Sequence, residues 1–443
     1  MRFLSTRAGA GGPECFVSFR QAVFSGLAPD GGLYVPIAVP DLRQRIAAFS
    51  KETSFLDLAT EVMGQLIGEE LNREAVGRVC ERAFTFEPAL RRLDEELTLL
   101  ELFHGPTCAF KDFGAAFLSS ILEEYLQQQS RRAVILVATS GDTGSAVARA
   151  FFGKANIDVV ILYPSGRVSA LQEQQLTTVG GNVTAVEVRG SFDDCQRLAK
   201  EAFVDEQLCR ALTLSSANSI NLGRLLPQAL YYIYGYLRME PLRGESVRIC
   251  VPSGNFGNLT AGVYAWQWGM PVDGFIAATN VNDVVPEYLK SGEFQPRPSL
   301  KTLSNAMDVG NPSNFERLLQ AFDGEVERMR SRITGIRITD RQTRRCMLQV
   351  YERSGILIDP HTAVGVLAAR NYRRDSGFDG RILCLATAHP GKFIEIVREA
   401  TGVTPQLPPS LKQALSREKQ SIVMEPRLEA LKGFLLERFA KFS

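Results

Sequence analysis

Short runs of apolar residues, separated by stretches with helical spacing, recur through the middle of the chain. The runs that predict strands are residues 134–139, 157–163, 183–188, 212–215, 247–251, 275–279 and 382–386. Runs that are short and continuously apolar are typical of strands buried on both faces of a parallel sheet. We therefore expect an α/β fold, in which ligands bind at the carboxyl edge of the strands.

The first hundred residues follow a different pattern, with helical spacing at 17–24, 55–64 and 70–84 and a turn at 28–32. We expect these residues to form a small separate unit, and we expect the charged tail from residue 416 to be helical and to cover a surface. The predicted domains are a small N-terminal domain (1–97), a larger α/β domain (98–130 plus 220–443) and a smaller α/β domain (131–219).

Composition and charge narrow the classes of partner. The 443 residues are 45% hydrophobic and 22% charged, with a net charge of +1, so no strong field favours nucleic acid or an anionic membrane. The apolar runs are too short to cross a bilayer. Arg2 and Arg7 are not followed by the apolar core of a secretion signal. These features favour a cytoplasmic protein that acts on a small molecule.

The cysteines and histidines give no pattern of metal ligands. Eight cysteines are scattered without a C-x-x-C pair, which argues against a zinc site or a redox dithiol. The three histidines, His104, His361 and His389, are too far apart for a two-histidine helical motif. We expect reduced thiols and no metal.

Lys111 stands among phenylalanines in GPTCAFKDFG, residues 105–114. An apolar environment disfavours the ammonium form and lowers the pKa of a lysine. The neutral amine is the nucleophile that forms a Schiff base with an aldehyde cofactor. The alternative for Lys111 alone is a solvated lysine at a helix start.

Residues 251–258, VPSGNFGN, join a predicted strand to a predicted helix. Gly254 and Gly257 allow a sharp turn in which successive N–H groups converge on an anion. The positive end of the helix dipole adds to this attraction, which suits a phosphate group. The string is neither a Walker loop nor G-x-G-x-x-G, so ATP and NAD are disfavoured. An Asn-Gly turn without function is the alternative.

Three further polar segments are candidates for ligand contacts. TSGDTG, residues 139–144, precedes a helix and is suited to a carboxylate, with helix capping as the alternative. Thr387 follows the last strand, and its hydroxyl is suited to a ring nitrogen. In residues 215–224, Arg224 is suited to a phosphate, with a surface arginine as the alternative. We expect His389 only to shape its loop, and Asp359 to cap a helix.

Seven strings occur in one order along the chain: GPTCAFKDFG, TSGDTG, SANSINLGR, VPSGNFGN, ATNVND, LSNAMD and TAHPGKF. Together they resemble the threonine synthases, which are fold-type II enzymes dependent on pyridoxal phosphate (PLP), in the branch of bacteria and fungi. The resemblance extends over nearly the whole chain. It implies two open α/β domains with parallel sheets, a small N-terminal domain, and PLP as the cofactor.

The resemblance also implies a role for each matching residue. Lys111 would be the catalytic lysine that holds PLP as a Schiff base, Thr387 would face the pyridine nitrogen, and Asp142 would lie beside the ring hydroxyl. The loop that binds the PLP phosphate would consist of Gly254, Asn255, Phe256, Gly257 and Asn258. The substrate's carboxylate and phosphate would be bound by Ser140, Thr143, Ser219, Asn221 and Arg224.

The reaction that the resemblance implies is conversion of O-phospho-L-homoserine and water to L-threonine and phosphate, by γ-elimination and β-hydration. One alternative is a related phospho-lyase that gives a 2-keto acid, ammonia and phosphate. Alternatives of another class are a non-catalytic PLP-binding or signalling protein and an α/β binding domain without a cofactor. Monomer and homodimer both stay open, and the sequence shows no extra domain for an S-adenosylmethionine activator.

Overall fold

Two parallel sheets form the framework of the protein in the computed structural model, which describes residues 1–8, 15–127, 132–242 and 244–440. The strands are β1 Phe3–Ser5, β2 Tyr34–Pro36, β3 Ala89–Arg92, β4 Leu97–Glu101, β5 Ala133–Ala138, β6 Ile157–Pro164, β7 Val183–Val188, β8 Leu214–Ser216, β9 Val247–Pro252, β10 Gly274–Thr279, β11 Ile333–Arg337, β12 Arg381–Ala386 and β13 Ile422–Met424.

Helices cover both sheets and form most of the N-terminal region. They are α1 Phe19–Ser25, α2 Arg43–Ala48, α3 Phe55–Ile67, α4 Arg73–Ala83, α5 Lys111–Gln127, α6 Asp142–Phe151, α7 Ala170–Thr177, α8 Phe192–Val204, α9 Glu206–Ala211, α10 Leu222–Leu225, α11 Gln228–Met239, α12 Gly257–Gln267, α13 Val284–Ser291, α14 Phe315–Ala321, α15 Val326–Arg330, α16 Asp340–Ser354, α17 Pro360–Ser376, α18 Ile394–Thr401, α19 Pro409–Leu415 and α20 Leu428–Phe439. Two short 3-10 turns span Asn305–Met307 and Pro390–Lys392.

The larger sheet has the strand order β11-β10-β9-β12-β4-β3. Its pairings are parallel except that β3 runs antiparallel to β4. Ile249 of β9 packs into the core on one face and Cys250 into the core on the other. The sheet is therefore buried on both faces, as the continuous apolar runs predict.

The smaller sheet has the order β13-β7-β6-β5-β8, with parallel pairing throughout. Together the two sheets confirm the predicted fold of two parallel-sheet α/β domains with a small N-terminal unit. The C-terminal tail is helical over α20 and covers a surface, as predicted, but it also contains a strand and does not lie on the larger domain. Ile422–Met424 is an edge strand beside β7, and Leu431 and Leu435 of α20 pack into the core of the smaller sheet. The tail therefore lies on the smaller domain, because that sheet leaves an edge and an apolar face for it to cover.

The predicted domain boundaries also differ from the structure in one place. The boundary at residue 97 falls at the start of β4, whose neighbours β3 and β12 belong to the larger sheet. The apolar pattern missed β4 because its five residues follow a charged stretch. The boundary at residue 130 lies outside the described residues. In the N-terminal unit, Phe55 and Phe84 pack edge to face at 5.1 Å, and both contact Phe113 of α5.

The order of the strands brings three separate segments to one edge of the larger sheet. β9, β12 and β4 are parallel neighbours, so the loops that follow them leave the same carboxyl edge. These loops carry residues 253–258, Thr387 and the segment that leads to Lys111. In the smaller sheet the neighbours β5 and β8 place residues 139–141 and 217–221 together in the same way. Ligands bind at such edges in open α/β sheets.

Candidate active site

The segment that leads to Lys111 is bonded to the segment that carries Thr387. Ala109 and Ala388 form an antiparallel bridge, and the N–H of Phe110 donates to the carbonyl oxygen of Thr387 at 2.9 Å. Helix α5 begins at the next residue, Lys111. Lys111 and Thr387, which the sequence predicts to contact the same cofactor, are therefore held near each other by main-chain hydrogen bonds.

The amine of Lys111 is largely buried between an aromatic ring and a carboxylate. Its side chain is 17% exposed, and Nζ lies 3.5 Å from Oδ2 of Asp142 and 5.2 Å from the ring centre of Phe110. Burial lowers the pKa of Lys111, the charges of Lys392 and Arg224 lower it further, and Asp142 opposes them. The structure therefore favours the neutral amine more than water does, as the apolar sequence around Lys111 predicts.

Asp142 is shared between two lysines. Its Oδ1 accepts hydrogen bonds from Nζ of Lys392 at 2.8 Å and from Nε2 of Gln172 at 2.9 Å, while its Oδ2 faces Lys111. Burial alone would raise the pKa of Asp142, but the positive charges of Lys392 and Lys111 hold it well below its usual range. The sequence predicts Asp142 beside a cofactor ring, and the structure gives it this ionic role as well.

Lys392 is a residue of the site to which the sequence assigned no role. Its side chain is fully buried, and Nζ also donates to the carbonyl oxygen of Thr107 at 2.9 Å. A buried ammonium group is costly unless it is paired and hydrogen-bonded. The sequence feature that could have indicated Lys392 is its place in the otherwise apolar string Pro390–Phe393, shortly after a buried strand.

Asp112 follows Lys111 and holds the turn before the helix. Its two carboxyl oxygens accept from the N–H and the hydroxyl of Thr107, at 2.9 Å and 2.6 Å. Burial raises the pKa of Asp112 to about 6, against the lowering effect of these bonds and of Lys392. The carboxyl group is therefore closer to neutrality at physiological pH than an exposed aspartate.

The glycine-rich loop has the close backbone packing that its sequence predicts. A Cβ atom on Gly254 would lie 2.7 Å from Cα of Met307 and 2.9 Å from the carbonyl oxygen of Ala306. Phe256 has a left-handed backbone with a φ of 60°, and α12 begins at Gly257. The loop after β9 therefore ends in a helix N-terminus at the carboxyl edge of the sheet, an arrangement that binds anions.

Asn255 links this loop to the segment after β8. Its Nδ2 donates to the hydroxyl of Ser219 at 2.6 Å, and its Oδ1 accepts from the N–H of Ser313 at 2.6 Å. Two of the residues that the sequence predicts for cofactor and for substrate thus meet across the cleft between the two sheets.

The side chain of Asn258 is turned towards the core. Its Oδ1 accepts from the hydroxyls of Tyr231 and Tyr232 at 2.6 Å and 2.7 Å. Its Nδ2 is buried and has no partner among the described residues. A buried donor without a partner is rare in folded proteins, and a bound ligand is one way to satisfy it.

The start of α6 is capped by a residue that the sequence did not single out. The hydroxyl oxygen of Thr139 accepts from the N–H of Gly141 at 3.0 Å and of Gly144 at 2.8 Å. The exposed Ser140 and the partly buried Thr143 therefore do not supply this cap. The alternative of simple N-capping is thus wrong for both residues.

One predicted substrate contact, Asn221, has partners within the fold for its polar groups. Asn221 donates through Nδ2 to the carbonyl oxygens of Val23 and Ser216, and its Oδ1 accepts from the N–H of Gly223. Its polar groups are therefore engaged, and we leave it out of the substrate site.

Arg224 is buried, although the alternative from the sequence was a surface arginine. Its Nη1 donates to the carbonyl oxygen of Ala217 at 2.7 Å, and its Nε has no partner among the described residues. Burial lowers the pKa of Arg224 to about 10, with Asp112 opposing the shift. An incompletely bonded, buried guanidinium is suited to an anionic ligand.

Three further residues, Asp359, His361 and His389, hold loops around the site. Asp359 caps α17, as predicted, and His361 Nδ1 lies 2.7 Å from its carboxylate. Nε2 of His361 accepts from the N–H of Ala306 at 3.2 Å and so holds the turn that packs on the glycine-rich loop. His389 accepts from the N–H of Gly391 at 3.0 Å, which confirms that it shapes its loop.

Neither a metal-ligand cluster nor a membrane-spanning helix occurs among the described residues. Across the described ranges, no group of three or more histidine, cysteine, aspartate or glutamate residues could hold a metal ion. None of the helices in those ranges has the length and apolar character needed to cross a membrane.

Three family models match the chain in consecutive and overlapping ranges. Residues 2–84 match the threonine synthase N terminus, residues 86–388 match pyridoxal-phosphate dependent enzymes, and residues 362–435 match the threonine synthase C-terminal region. The central match contains Lys111, the glycine-rich loop and Thr387.

Curated and solved proteins of the same kind are similar over almost the full length. Threonine synthase of Serratia marcescens is 42% identical over 395 residues, covering 89% of this chain and 90% of that protein. The Haemophilus influenzae protein is 40% identical over 425 residues, covering 96% and 98%. The crystal structure of PLP-bound threonine synthase from Brucella melitensis superposes with a TM-score of 0.91 at 36% identity, covering 99% of each chain. The chain therefore belongs to the threonine synthase family of PLP-dependent enzymes.

Proposed function

We propose that the chain converts O-phospho-L-homoserine and water to L-threonine and phosphate, with Lys111 as the catalytic lysine. The observation that carries the proposal is the meeting of three segments at one sheet edge. Lys111, Thr387 and the glycine-rich loop lie at the ends of adjacent parallel strands. Membership of the threonine synthase family supports the choice of substrate and product.

The residues at this edge fit PLP. The N–H groups at the start of α12, including that of Asn258, suit its phosphate, the hydroxyl of Thr387 suits its ring nitrogen, and the amine of Lys111 suits its aldehyde. When bound, PLP supplies an electron sink for negative charge on the carbons next to the substrate's amine.

Lys111 is the proton carrier in this proposal. A general base works best when its pKa lies near the working pH, and burial moves the pKa of Lys111 in that direction. Once the substrate's amine has taken its place, the amine of Lys111 removes the proton from Cα, passes that proton on, and then removes a proton from Cβ, after which the Cγ–O bond breaks and phosphate leaves. One proton is then returned to Cγ and one to Cα, while water supplies the hydroxyl at Cβ and a proton to the released phosphate. Asp142, 3.5 Å away, stabilises the positive charge that Lys111 carries between these transfers.

The leaving phosphate needs a second anion site. The Nε atom of Arg224 has no partner among the described residues. Arg224 lies on α10, which packs against α5 at Gly114, one turn after Lys111. The packing is close there, since a Cβ on Gly114 would lie 2.5 Å from the carbonyl oxygen of Arg224. Charge builds on the phosphate as its bond to Cγ breaks, and a fixed guanidinium stabilises that charge. We assign Ser219 to the same site, and Ser140 and Thr143 at the start of α6 to the substrate's carboxylate.

We place the enzyme in the cytoplasm and propose that residues 131–219 close over the substrate. All eight cysteines are free thiols, which suits a reducing compartment. Gln175 of α7 already reaches the carbonyl oxygen of Thr107 at 3.3 Å, so the two α/β domains meet beside the site. Closure would exclude water until the phosphate has left.

The test combines a product assay with spectroscopy. The purified chain is incubated with O-phospho-L-homoserine, and threonine, 2-oxobutyrate and phosphate are separated and quantified. We expect threonine and phosphate in equal amounts, and we expect Lys111→Ala to lose both activity and the visible band of bound PLP. 2-Oxobutyrate as the main product would replace the proposal with the phospho-lyase reaction. A visible band without turnover of any phosphorylated amino acid would replace it with a non-catalytic PLP-binding role.

A further inference from the structure

Lys392 is a buried cation that the proposed reaction does not use. Its Nζ lies 2.8 Å from Oδ1 of Asp142 and 2.9 Å from the carbonyl oxygen of Thr107, and its side chain has no exposed surface. Gln172 donates to the same oxygen of Asp142. With two donors on Oδ1, the other carboxylate oxygen is left for Lys111, whose amine lies 3.5 Å from it.

The contacts of Lys392 tie together three parts of the site. Lys392 follows β12, Thr107 precedes α5, and Asp142 begins α6 of the smaller domain. Thr107 also accepts from Gln175. If a buried ion pair served only stability, both of its residues could be replaced by apolar side chains with little loss of folding free energy. Here the partner is the carboxylate that faces Lys111, so the position of Lys392 bears directly on the reactive amine.

We propose that Lys392 is a positioning residue, which fixes Asp142 as a carboxylate opposite Lys111 and keeps the Lys111 amine unprotonated by the repulsion of its own charge. This inference rests on the proposed role of Lys111 in PLP binding. Lys392 itself touches neither cofactor nor substrate in the proposal, so its effect passes through Asp142 and through space.

The charges that face Lys111 predict the direction of the effect. They are Asp142 from α6, Lys392 from the turn after β12 and Arg224 from α10. Asp112 is next to Lys111 on α5, but its carboxylate bonds to Thr107. Loss of Lys392 removes a positive charge that repels the protonated form of Lys111. It also leaves Lys111 as the one lysine paired with the carboxylate of Asp142. Both changes raise the pKa of Lys111.

The test measures the free amine of Lys111 directly. The full-length chain is stripped of PLP and treated with formaldehyde and cyanoborohydride over a range of pH, and the methylation rate at Lys111 is read by peptide mass spectrometry. In Lys392→Met we expect the midpoint of the rate profile to move up by about one pH unit. Gln172→Leu is the matched control, because it removes a neutral donor from the same oxygen of Asp142, and its midpoint should stay at the wild-type value. Lys392→Arg, which keeps the charge, should do the same.

The outcomes test the positioning role of Lys392 separately from the proposed function. A wild-type midpoint in folded Lys392→Met would overturn the positioning role. If Lys392→Met does not fold, as judged by circular dichroism, Asp142→Asn is compared with the double variant Asp142→Asn, Lys392→Met. The double variant should have the higher midpoint, and equal midpoints overturn the role. Adding PLP and borohydride to the wild-type protein is a separate readout: trapping at a residue other than Lys111 would reject the proposed function itself.

Discussion

The N–H of Phe110 donates a 2.9 Å hydrogen bond to the carbonyl oxygen of Thr387, and this bond fixes where Lys111 begins its helix. The bond uses the main chain of Thr387, so its hydroxyl is left for a ligand. A substitution that removes only the hydroxyl should therefore leave the position of Lys111 unchanged.

Thr387→Val is expected to bind PLP but to lower kcat by about tenfold, the worth of one hydrogen bond to a neutral group. Valine keeps the shape of threonine, and the main-chain bond to Phe110 remains. The measurements are steady-state threonine formation and the visible band of bound PLP. Thr387→Ser, which keeps the hydroxyl, should retain most of the activity. Equal losses in the two variants would show that packing, and not the hydroxyl, matters at this position.

Gly254→Ala should disrupt the glycine-rich loop, because the new methyl group would lie 2.7 Å and 2.9 Å from main-chain atoms of Met307 and Ala306. Main-chain atoms cannot rotate away, so the loop must shift. We expect a loss of stability of about 1–3 kcal/mol and weaker PLP binding in a fluorescence titration of the stripped protein.

Gly77→Ala is the control for that substitution. Gly77 lies within α4, and a Cβ there would meet no atom within 4 Å. The change should raise the stability by about 0.5–1 kcal/mol and leave PLP binding as it was. Unaltered PLP binding in Gly254→Ala would contradict the assignment of this loop.

Asn255→Asp should weaken PLP binding more than Asn255→Ala does. Alanine removes the bonds to Ser219 and Ser313, which we expect to lower the affinity by about tenfold. Aspartate keeps an oxygen for Ser313 but places a negative charge beside the cofactor phosphate, which costs several kcal/mol, or about a hundredfold or more. Titrations of stripped protein at low and high salt check this, since salt should reduce only the aspartate effect. The reverse order of affinities would place the phosphate elsewhere.

The sequence predicts the framework well where apolar runs are continuous and buried on both faces. β7 matches the prediction at both ends, and β9 differs by one residue. β11 and β13 were missed for a physical reason: both are edge strands with partly or largely exposed residues, so burial does not impose an apolar pattern on them. Edge strands owe their place to the neighbouring strand more than to their own residues.

The site could be predicted only as far as its motifs are local. The order of the motifs identified Lys111 and the loop at 254–258, and the parallel topology explains why they meet. Lys392 was missed because its partner Asp142 is 250 residues away and no spacing rule links the two. The same limit applies to Asn258, whose bonds to Tyr231 and Tyr232 turn its side chain into the core.

Arg224→Lys should raise the KM for O-phospho-L-homoserine and leave the affinity for PLP unchanged. An ammonium group keeps the charge but loses the paired N–H groups that hold a phosphate. We expect kcat/KM to fall by at least about tenfold. Inorganic phosphate should also inhibit this variant less than the wild-type enzyme. A loss of PLP affinity equal to the loss in kcat/KM would move Arg224 to the cofactor phosphate.

Asp112→Asn should change how stability depends on pH. The pKa of Asp112 is raised from 3.8 to about 6 in the folded protein, so the folded state binds this proton more tightly than the unfolded state does. Its contribution to stability is therefore full below about pH 4 and is lost as the pH rises through 6. Asparagine cannot titrate, so the stability of the variant relative to wild type should improve by about 2 kcal/mol between pH 4 and pH 8. Urea unfolding followed by circular dichroism at both pH values measures this change. A difference that does not vary with pH would show that the carboxyl is ionised throughout the range, and that its two bonds from Thr107 outweigh burial.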